Sequence, residues 1–348
     1  MIVLGIETSC DDTSLALYAP DRGVIANVTA SQLMHDAYGG VVPEIASRQH
    51  MRALLPVYDA LLAKAGIQGS DIDGIGVSNG PGLVGSLLVG VGFAKSLALG
   101  LGKPVVGVHH IEAHVISNEL AGEALQCPAI VLIVSGGHTA LYRVDGPELA
   151  RIRELGATRD DAAGEAFDKV AKLLGLGYPG GPIVDRLAKE GDPDAIDLIW
   201  PMRRRGSLEF SFSGLKTDVM RWVTSNGRPG NDKVLRDLCA AFQRRVVDTL
   251  VEKTVAAALA QEVSTIVIAG GVAANRELRE RAAMRAGEAG LRLVVPPFRA
   301  CTDNAAMIAY AGAKRLERGE DDSGKLETSP RTSLPRITVK GRGKRAAP

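Results

Sequence analysis

The N-terminal stretch MIVLGIETSCDDTSLALYAP (residues 1–20) indicates the fold. Residues 2–6 form an apolar run of strand length, residues 7–13 form a polar turn, and residues 14–18 form a second apolar run. The same layout recurs in AIVLIVSGGHTALYRV (residues 129–144), with SGGHT as the turn. Two apolar runs joined by a short polar turn predict a β-hairpin. Its recurrence in the second half of the chain predicts a duplicated unit.

Matching elements follow each hairpin: a third extended segment, a helix, and then a strand, a glycine loop and another helix. In the first half these cover residues 23–30, 44–65, 72–78, 79–82 and 83 onward; in the second half they cover 151–155, 162–174, 265–269, 270–272 and 274 onward. Repeated units of this kind predict an α/β protein with two duplicated lobes, each built on a mixed sheet. Glycine turns present backbone N–H groups to phosphate oxygens, so the duplication predicts a nucleotide cleft between the lobes, on the actin, Hsp70 and sugar-kinase plan.

The length of 348 residues fits two domains of ordinary size. We expect lobe I at residues 1–125 plus 300–325, lobe II at 126–299 with an insertion at about 191–230, and a tail at 326–348. Residues 331–348 carry six basic side chains and no acid, which leaves −5 for the rest of a chain whose net charge is +1. The tail is predicted to be disordered. It either contacts a polyanion such as RNA or is a solvated end without a partner.

Four scattered cysteines without metal or disulfide spacing indicate a reduced, cytoplasmic protein. The N-terminus has no basic segment before its apolar run, so it does not resemble a signal peptide. The apolar run at residues 83–100 contains Lys95, serines and glycines. It is therefore expected to be a buried helix rather than a membrane span.

The segment His110-Ile111-Glu112-Ala113-His114 carries two histidines with helical spacing. Side chains four residues apart lie on the same helix face, where two neutral imidazoles can share a metal ion. Asp303 is a candidate third ligand, and two histidines with one carboxylate leave open coordination positions. The order differs from the His-Glu-x-x-His motif of metallopeptidases, since Glu112 is two residues from His110. Capping, packing or surface exposure are alternative explanations for the pair.

Nine segments together resemble the tRNA threonylcarbamoyladenosine transferase family, called TsaD in bacteria and formerly glycoprotease. They are GIETSCDDT (5–13), GPGL (80–83), HIEAH (110–114), SGGHT (135–139), DDAAGEAFDK (160–169), YPGGP (178–182), FSGLK (212–216), GGVAAN (270–275) and CTDNA (301–305). They occur in the family's order from the N-terminus to about residue 315. The C-terminal end departs from the family pattern because it is longer, basic and without tryptophan.

The resemblance implies transfer of a threonylcarbamoyl group from threonylcarbamoyl-AMP to the N6 amine of the adenosine 3′ of the anticodon, in tRNAs that decode ANN codons. It implies one divalent metal, iron or zinc, bound by His110, His114 and Asp303. It also implies a TsaB-like paralogous subunit and a TsaE-like ATPase as partners. The implied substrate contacts are Val134, Ser135, Gly136, Gly137, His138, Asp168, Gly181, Asp185 and Asn275. Separately from the resemblance, Glu7, Asp11 and Asp12 are acids near the predicted cleft. Either one of them, with Asp11 and Glu7 as the candidates, acts as a general base, or the acids repel the wrong ligand or hold a partner's metal.

Three other functions fit parts of the pattern. The histidine pair fits a metallopeptidase, although no glutamate follows the first histidine. The duplicated lobes fit an ATP-binding kinase or chaperone of the same fold, since a fold does not fix a function. The third alternative is a non-enzymatic scaffold that binds nucleotide and tRNA, although such a scaffold would not need a metal ion with open coordination positions.

Overall fold

Two five-stranded sheets form the centre of the computed structural model, and their strand orders match. The structure describes residues 1–32, 34–35, 41–121, 125–146, 148–202, 206–230, 232–295, 304–331 and 334. The first elements are β1 (Val3–Glu7), β2 (Thr13–Ala19), β3 (Gly23–Ala30), α1 (Pro43–Ala65), β4 (Gly74–Gly80), α2 (Val84–Leu101), β5 (Val105–His109) and α3 (His110–Ile116). They are followed by β6 (Ala129–Val134), β7 (Thr139–Val144), β8 (Ile152–Ala157), α4 (Ala163–Leu174), α5 (Gly180–Ala188), α6 (Ser213–Asn226), α7 (Asp232–Ala260), β9 (Thr265–Ala269), α8 (Arg276–Glu288), β10 (Arg292–Val294) and α9 (Ala305–Glu317).

The strand order is β3-β2-β1-β4-β5 in the first sheet and β8-β7-β6-β9-β10 in the second. In each sheet the first three strands form an antiparallel meander. In the first sheet β4 runs parallel to β1, and β5 runs parallel to β4. The second sheet places β9 and β10 in the corresponding positions. The predicted duplicated α/β architecture is therefore confirmed.

The chain divides into two compact units, each with one sheet. The first comprises residues 1–125, 269–271 and 296–333, and the second comprises residues 126–268, 272–295 and 334–348. In the first unit, all five residues of β1 are buried, because α9 covers one face of the sheet and α1 and α2 cover the other. In the second unit, all six residues of β6 are buried, as expected for a strand covered on both faces.

Helix α9 lies very close to the strands of the first sheet. A Cβ atom at Gly5 would stand 2.3 Å from the carbonyl oxygen of Ala305 and 2.4 Å from the backbone nitrogen of Ala309. Gly76 and Gly312 approach each other in the same interface, where a Cβ on Gly312 would be 2.9 Å from the Gly76 Cα. Side chains at these glycines would push the helix away from the sheet, so their absence sets the distance between them.

Helix α2 is only half covered. Leu87, Val91 and Ala94 are buried, whereas Val84 and Leu88 are more than half exposed. The expectation of a buried helix is thus correct for one face only. Within the described part of the chain, α2 is the one helix long and apolar enough to cross a membrane by length and composition alone.

Two helices of the second unit were not expected from the sequence. Helix α5 begins at Gly180 in a glycine- and proline-rich segment that favours a loop. Helix α6 begins at Ser213, and the carboxylate of Asp160 accepts hydrogen bonds from the backbone N–H groups of Phe212 (2.8 Å) and Ser213 (3.2 Å). The residue that caps α6 lies more than fifty positions earlier in the sequence. The residues around Ser213 therefore contain no local pattern that predicts where α6 begins.

The C-terminal segment is still packed against the first unit at residue 326, where the sequence predicts that the tail begins. Leu326 is buried in the core of the first unit, and the N–H of Ser329 donates to the carbonyl of Asn79 at 2.7 Å. The N–H of Asp322 also donates to the carbonyl of Val105. Residues 320–331 therefore pack along β4 and β5, and the predicted start of a disordered tail at residue 326 is wrong because one leucine anchors this segment. Residues 335–348 lie outside the described residues.

The cysteines differ sharply in exposure, which gives a test of the second unit's packing. Cys127 is exposed, whereas Cys239 is fully buried on α7. Burial raises the pKa of the Cys239 thiol to about 12 from the ordinary value of 9.0, which lowers its thiolate fraction about a thousandfold. We expect iodoacetamide to modify Cys127 in the native protein and Cys239 only after denaturation, as measured by peptide mass spectrometry. Equal rates at both thiols in native protein would contradict this packing.

Candidate functional site

The two histidines of α3 face each other. His110 and His114 are buried, their rings are perpendicular, and their Nε2 atoms lie 3.2 Å apart. Two nitrogens bound to one tetrahedral ion at about 2.0–2.1 Å would stand about 3.3 Å apart. The pair predicted from the sequence therefore has the spacing that a shared metal ion requires.

Glu7 supports this pair from the end of β1. Its Oε2 lies 3.0 Å from Nδ1 of His110, and its Oε1 accepts the backbone N–H of Ser9. Burial alone would raise the pKa of this carboxyl, but the charge of His110 and the hydrogen bonds from His110 and Ser9 outweigh burial and lower the pKa. An ionised Glu7 accepts a hydrogen bond from Nδ1 of His110, so in the neutral imidazole, the form that binds a metal, the lone pair is on Nε2.

His50 of α1 holds the loop between β1 and β2, and no motif in the sequence indicates this role. Its Nε2 lies 3.0 Å from the carbonyl oxygen of Cys10, and its Nδ1 lies 2.8 Å from the hydroxyl of Thr13. A carbonyl only accepts, so Nε2 carries the proton and Nδ1 accepts from Thr13. Burial lowers the pKa of His50, which keeps this neutral form. The loop that contains Asp11 is thereby fixed at both ends.

Asp11 and Asp303 complete the predicted residues of the first unit. Asp11 is partly exposed on the β1–β2 loop, whereas Glu7 is buried. Asp303 lies outside the described residues, so its predicted place beside the histidines stays a prediction. Among the residues that the structure does describe, no group of three or more His, Cys, Asp or Glu side chains is arranged to hold a metal.

The glycine turn between β6 and β7 belongs to the second unit. The N–H of Ser135 donates to the carbonyl of His138 at 2.8 Å, and the Ser135 hydroxyl accepts the N–H of His138. Gly136 and Gly137 are exposed at the tip. A Cβ at Gly164 would be 2.7 Å from the Ser135 carbonyl oxygen, so this glycine lets the start of α4 approach the turn.

Val134 precedes the turn, and its side chain is fully buried. Only its backbone is therefore suited to a substrate contact. One turn beyond Gly164, Asp168 accepts the backbone N–H of Gly180 at 2.7 Å and so caps the N-terminus of α5. Gly181 is the next residue, and a Cβ placed on it would meet open space. Asp168 and Gly181 are thus brought to the same helix end.

The last two predicted substrate contacts form a pair. Nδ2 of Asn275 donates to Oδ1 of Asp185 at 3.3 Å, although the two residues are ninety positions apart. Asn275 also caps α8, since its Oδ1 accepts the N–H of Leu278 at 2.9 Å. Gln243 of α7 contacts both members of the pair, and sequence reasoning missed it because a single glutamine inside a long helix carries no motif.

Comparison with known proteins agrees with the motifs. The sequence profile of TsaD, described as tRNA N6-adenosine threonylcarbamoyltransferase, matches residues 23–310. A protein with this description from Sorangium cellulosum is 55% identical, with 99% of this chain and 100% of the relative covered. Another from Syntrophus aciditrophicus is 51% identical, with 92% and 94% covered.

Solved structures show the fold at low identity. The activator of 2-hydroxyisocaproyl-CoA dehydratase from Clostridium difficile, solved with bound ADPNP, has a TM-score of 0.54 at 14% identity, covering 92% of this chain and 98% of that one. HypF of T. kodakarensis has a TM-score of 0.55 at 13% identity, covering 93% of this chain and 49% of its own length. The family profile and the long, highly identical relatives give the conclusion: the chain belongs to the TsaD family, the tRNA N6-adenosine threonylcarbamoyltransferases, and is a transferase.

Proposed function

We propose that the protein transfers the threonylcarbamoyl group of threonylcarbamoyl-AMP to the N6 amine of the adenosine 3′ of the anticodon, in tRNAs that decode ANN codons. The observation that carries the proposal is the His110–His114 pair in a chain of this family, with its two Nε2 atoms 3.2 Å apart and Glu7 against Nδ1 of His110. In the reaction, N6 forms a bond to the carbamoyl carbon and the bond from that carbon to the phosphate oxygen breaks. AMP leaves, and N6 loses a proton.

The second unit supplies the groups suited to the donor. The exposed backbone of Gly136 and Gly137 offers N–H groups to phosphate oxygens, as glycine turns in nucleotide sites do. Asp168 and Asp185 carry carboxylates that accept hydrogen bonds from ribose hydroxyls. Val134, Ser135, His138, Gly181 and Asn275 complete this proposed set. Positioning matters because the exocyclic amine of adenine is a weak nucleophile.

The first unit supplies the metal ligands, His110 and His114, with Asp303 as the proposed third. When bound, a divalent ion, iron or zinc, supplies Lewis-acid stabilisation of the charge that develops on the carbamoyl or phosphate oxygens. Glu7 orients His110, and its burial and its two hydrogen bonds engage it fully in that task. Asp11, partly exposed on the neighbouring loop, is therefore the better choice for the group that accepts the N6 proton.

The rival functions account for less of the molecule. In a metallopeptidase of the His-Glu-x-x-His type, a glutamate follows the first histidine, but Ile111 stands there and is buried. A kinase or chaperone of this fold would have no use for two buried histidines whose Nε2 atoms converge. The transferase accounts for both the histidines and the glycine turn.

The proposal includes partners and a compartment. A TsaB-like subunit is expected to cover the exposed apolar face of α1 and α2, which comprises Met51, Leu55, Val84, Leu88 and Leu99. Arg48 and Arg52 are exposed near Met51 in the sequence of α1. The proposal includes no membrane partner. A TsaE-like ATPase and the tRNA are the other partners, and the reaction is placed in the cytoplasm.

Removal of the histidine pair tests the reaction and the metal together. We expect His110→Ala/His114→Ala to lose bound metal by elemental analysis and to lose product when threonylcarbamoyl-AMP, unmodified tRNA and the partner proteins are supplied. Nucleosides would be measured by mass spectrometry. His35→Gln, which alters another buried histidine of the same unit, is the matched control and should keep both properties. Failure of the native chain alongside an active family member would overturn the transferase proposal.

Substitutions of Glu7 and Asp11 should affect different properties, metal affinity and kcat respectively. Glu7→Gln replaces a charged partner of His110 with a neutral one, so we expect metal affinity to fall about 10–100-fold. Asp11→Asn should leave metal content unchanged and lower kcat about 10²–10⁴-fold, as expected for loss of a general base. Metal titration and single-turnover kinetics separate the two. Full turnover by a folded Asp11→Asn protein would eliminate Asp11 as the base.

The partner face can be tested with matched leucines. Leu88 on α2 and Leu259 on α7 are both 56% exposed, but only Leu88 belongs to the proposed face. We expect Leu88→Glu to weaken binding of the TsaB-like subunit about 30-fold or more, the scale of an interface hot spot. Leu259→Glu should bind like the native chain in the same titration. Equal effects of both substitutions would show that the face is placed wrongly.

A further inference from the structure

A buried glutamine joins three helices of the second unit. Gln243 of α7 is fully buried, and its Nε2 donates to Oδ1 of Asp185 on α5 (3.0 Å) and to Oε2 of Glu277 on α8 (2.9 Å). Its Oε1 accepts from Nδ2 of Asn275 at 2.8 Å. Every hydrogen-bonding direction of the amide nitrogen is thus used, and the burial cost of the amide is offset.

The amide can take only one orientation. Both partners of its nitrogen are carboxylates, which accept, and the partner of its oxygen is the amide nitrogen of Asn275, which donates. Rotation by 180° would place its oxygen against two carboxylates and its nitrogen against another donor. Glu277 is held in turn by an ion pair with Arg244. The network therefore fixes the rotamers of all its members.

The network leaves one atom of Asp185 available. Oδ1 accepts from both Gln243 and Asn275, whereas Oδ2 has no hydrogen-bond donor among the residues that the structure describes. Gln243 and Glu277 are buried, but Asp185 and Asn275 are partly exposed. Two fixed donors on Oδ1 set the plane of the carboxylate and so set the direction in which Oδ2 points.

We propose that Gln243 is a positioning residue that directs Oδ2 of Asp185 toward a hydroxyl of the donor's ribose. This inference rests on the proposed function, because Asp185 is a donor contact only in that proposal. Gln243 itself does not touch the nucleotide. Its effect should therefore fall on ribose hydroxyl recognition and on the KM for the donor, and it should leave the KM for tRNA unchanged.

The test compares Gln243→Met, which keeps the volume and removes all three hydrogen bonds, with the full native chain. AMP and 2′,3′-dideoxy-AMP serve as probes in calorimetric titrations. We expect Gln243→Met to bind AMP about tenfold more weakly, the effect of one hydrogen bond to a charged group, and dideoxy-AMP about as well as the native chain does. In the transfer assay, its KM for threonylcarbamoyl-AMP should rise about tenfold with kcat changed less than twofold.

Thr254→Val is the matched control. Thr254 is a buried polar residue of the same helix, and its hydroxyl donates within α7 to the carbonyl of Leu250. This variant should keep both nucleotide affinities. If Gln243→Met does not fold, Gln243→Asn replaces it, since a side chain one methylene shorter does not span all three partners. A double-mutant cycle with Asp185→Asn should show strong coupling, because Gln243 acts through Asp185.

Native AMP affinity in Gln243→Met, equal loss of AMP and dideoxy-AMP binding, or additive effects in the cycle would each overturn the inference. The proposed function fails differently. In that case the native chain would make no modified adenosine beside an active family member, whatever the nucleotide titrations of the variants showed.

Discussion

The parallel arrangement of β1, β4 and β5 is the constraint on which the first unit's site depends. Parallel strands end at the same edge of a sheet, so Glu7 at the end of β1 and His109 at the end of β5 are brought to one side. Helix α3 starts there, and its first residue, His110, meets the carboxylate of Glu7 although 103 positions separate them. An antiparallel β5 would deliver the histidines to the opposite edge.

The second unit repeats the strand order but carries different chemistry at its loops. Its first hairpin turn holds Gly136 and Gly137, where the first unit has the acidic loop with Asp11. The helix after β9 begins with Asn275, whose side chain caps the helix and also contacts Asp185. The two units thus share one strand order, but the residues at their loops and helix starts differ. The first unit has acids and histidines there, and the second has glycines, carboxylates and amides.

Much of the fold followed from the sequence because strands and helices carry local periodicity. The ranges expected for β3, β6 and β9 equal those observed, and α1 differs by one residue. Features that depend on distant residues could not be predicted in the same way. The cap that Asp160 gives α6, the anchoring of Leu326 and the contact of His50 with Cys10 each join segments at least forty residues apart.

The candidate site shows the same division between local and distant information. The motifs identified His110, Asp168 and Asn275, since each lies in a recognisable segment. They did not identify Gln243 or His50, which act on motif residues from the middle of long helices. Periodicity places such residues on the buried face of a helix, and a buried polar residue without a motif is indistinguishable from an ordinary core position until its partners are known.

A single arrangement recurs in both units: a buried side chain holds a neighbouring functional side chain in a fixed orientation. In the first unit the buried group is an ionised Glu7, and its partner is His110, whose imidazole can carry positive charge. In the second unit it is a neutral Gln243, and its partner Asp185 is an acid. The charge of the neighbours explains which side chain stands in each unit. A glutamate in place of Gln243 would put three carboxylates together, since Asp185 and Glu277 are its neighbours. A neutral amide in place of Glu7 would remove the electrostatic attraction that keeps a proton on Nδ1 of His110. An anionic Glu7 therefore stabilises His110, and a neutral Gln243 stabilises Asp185. Exchanging the two side chains would remove both stabilising interactions.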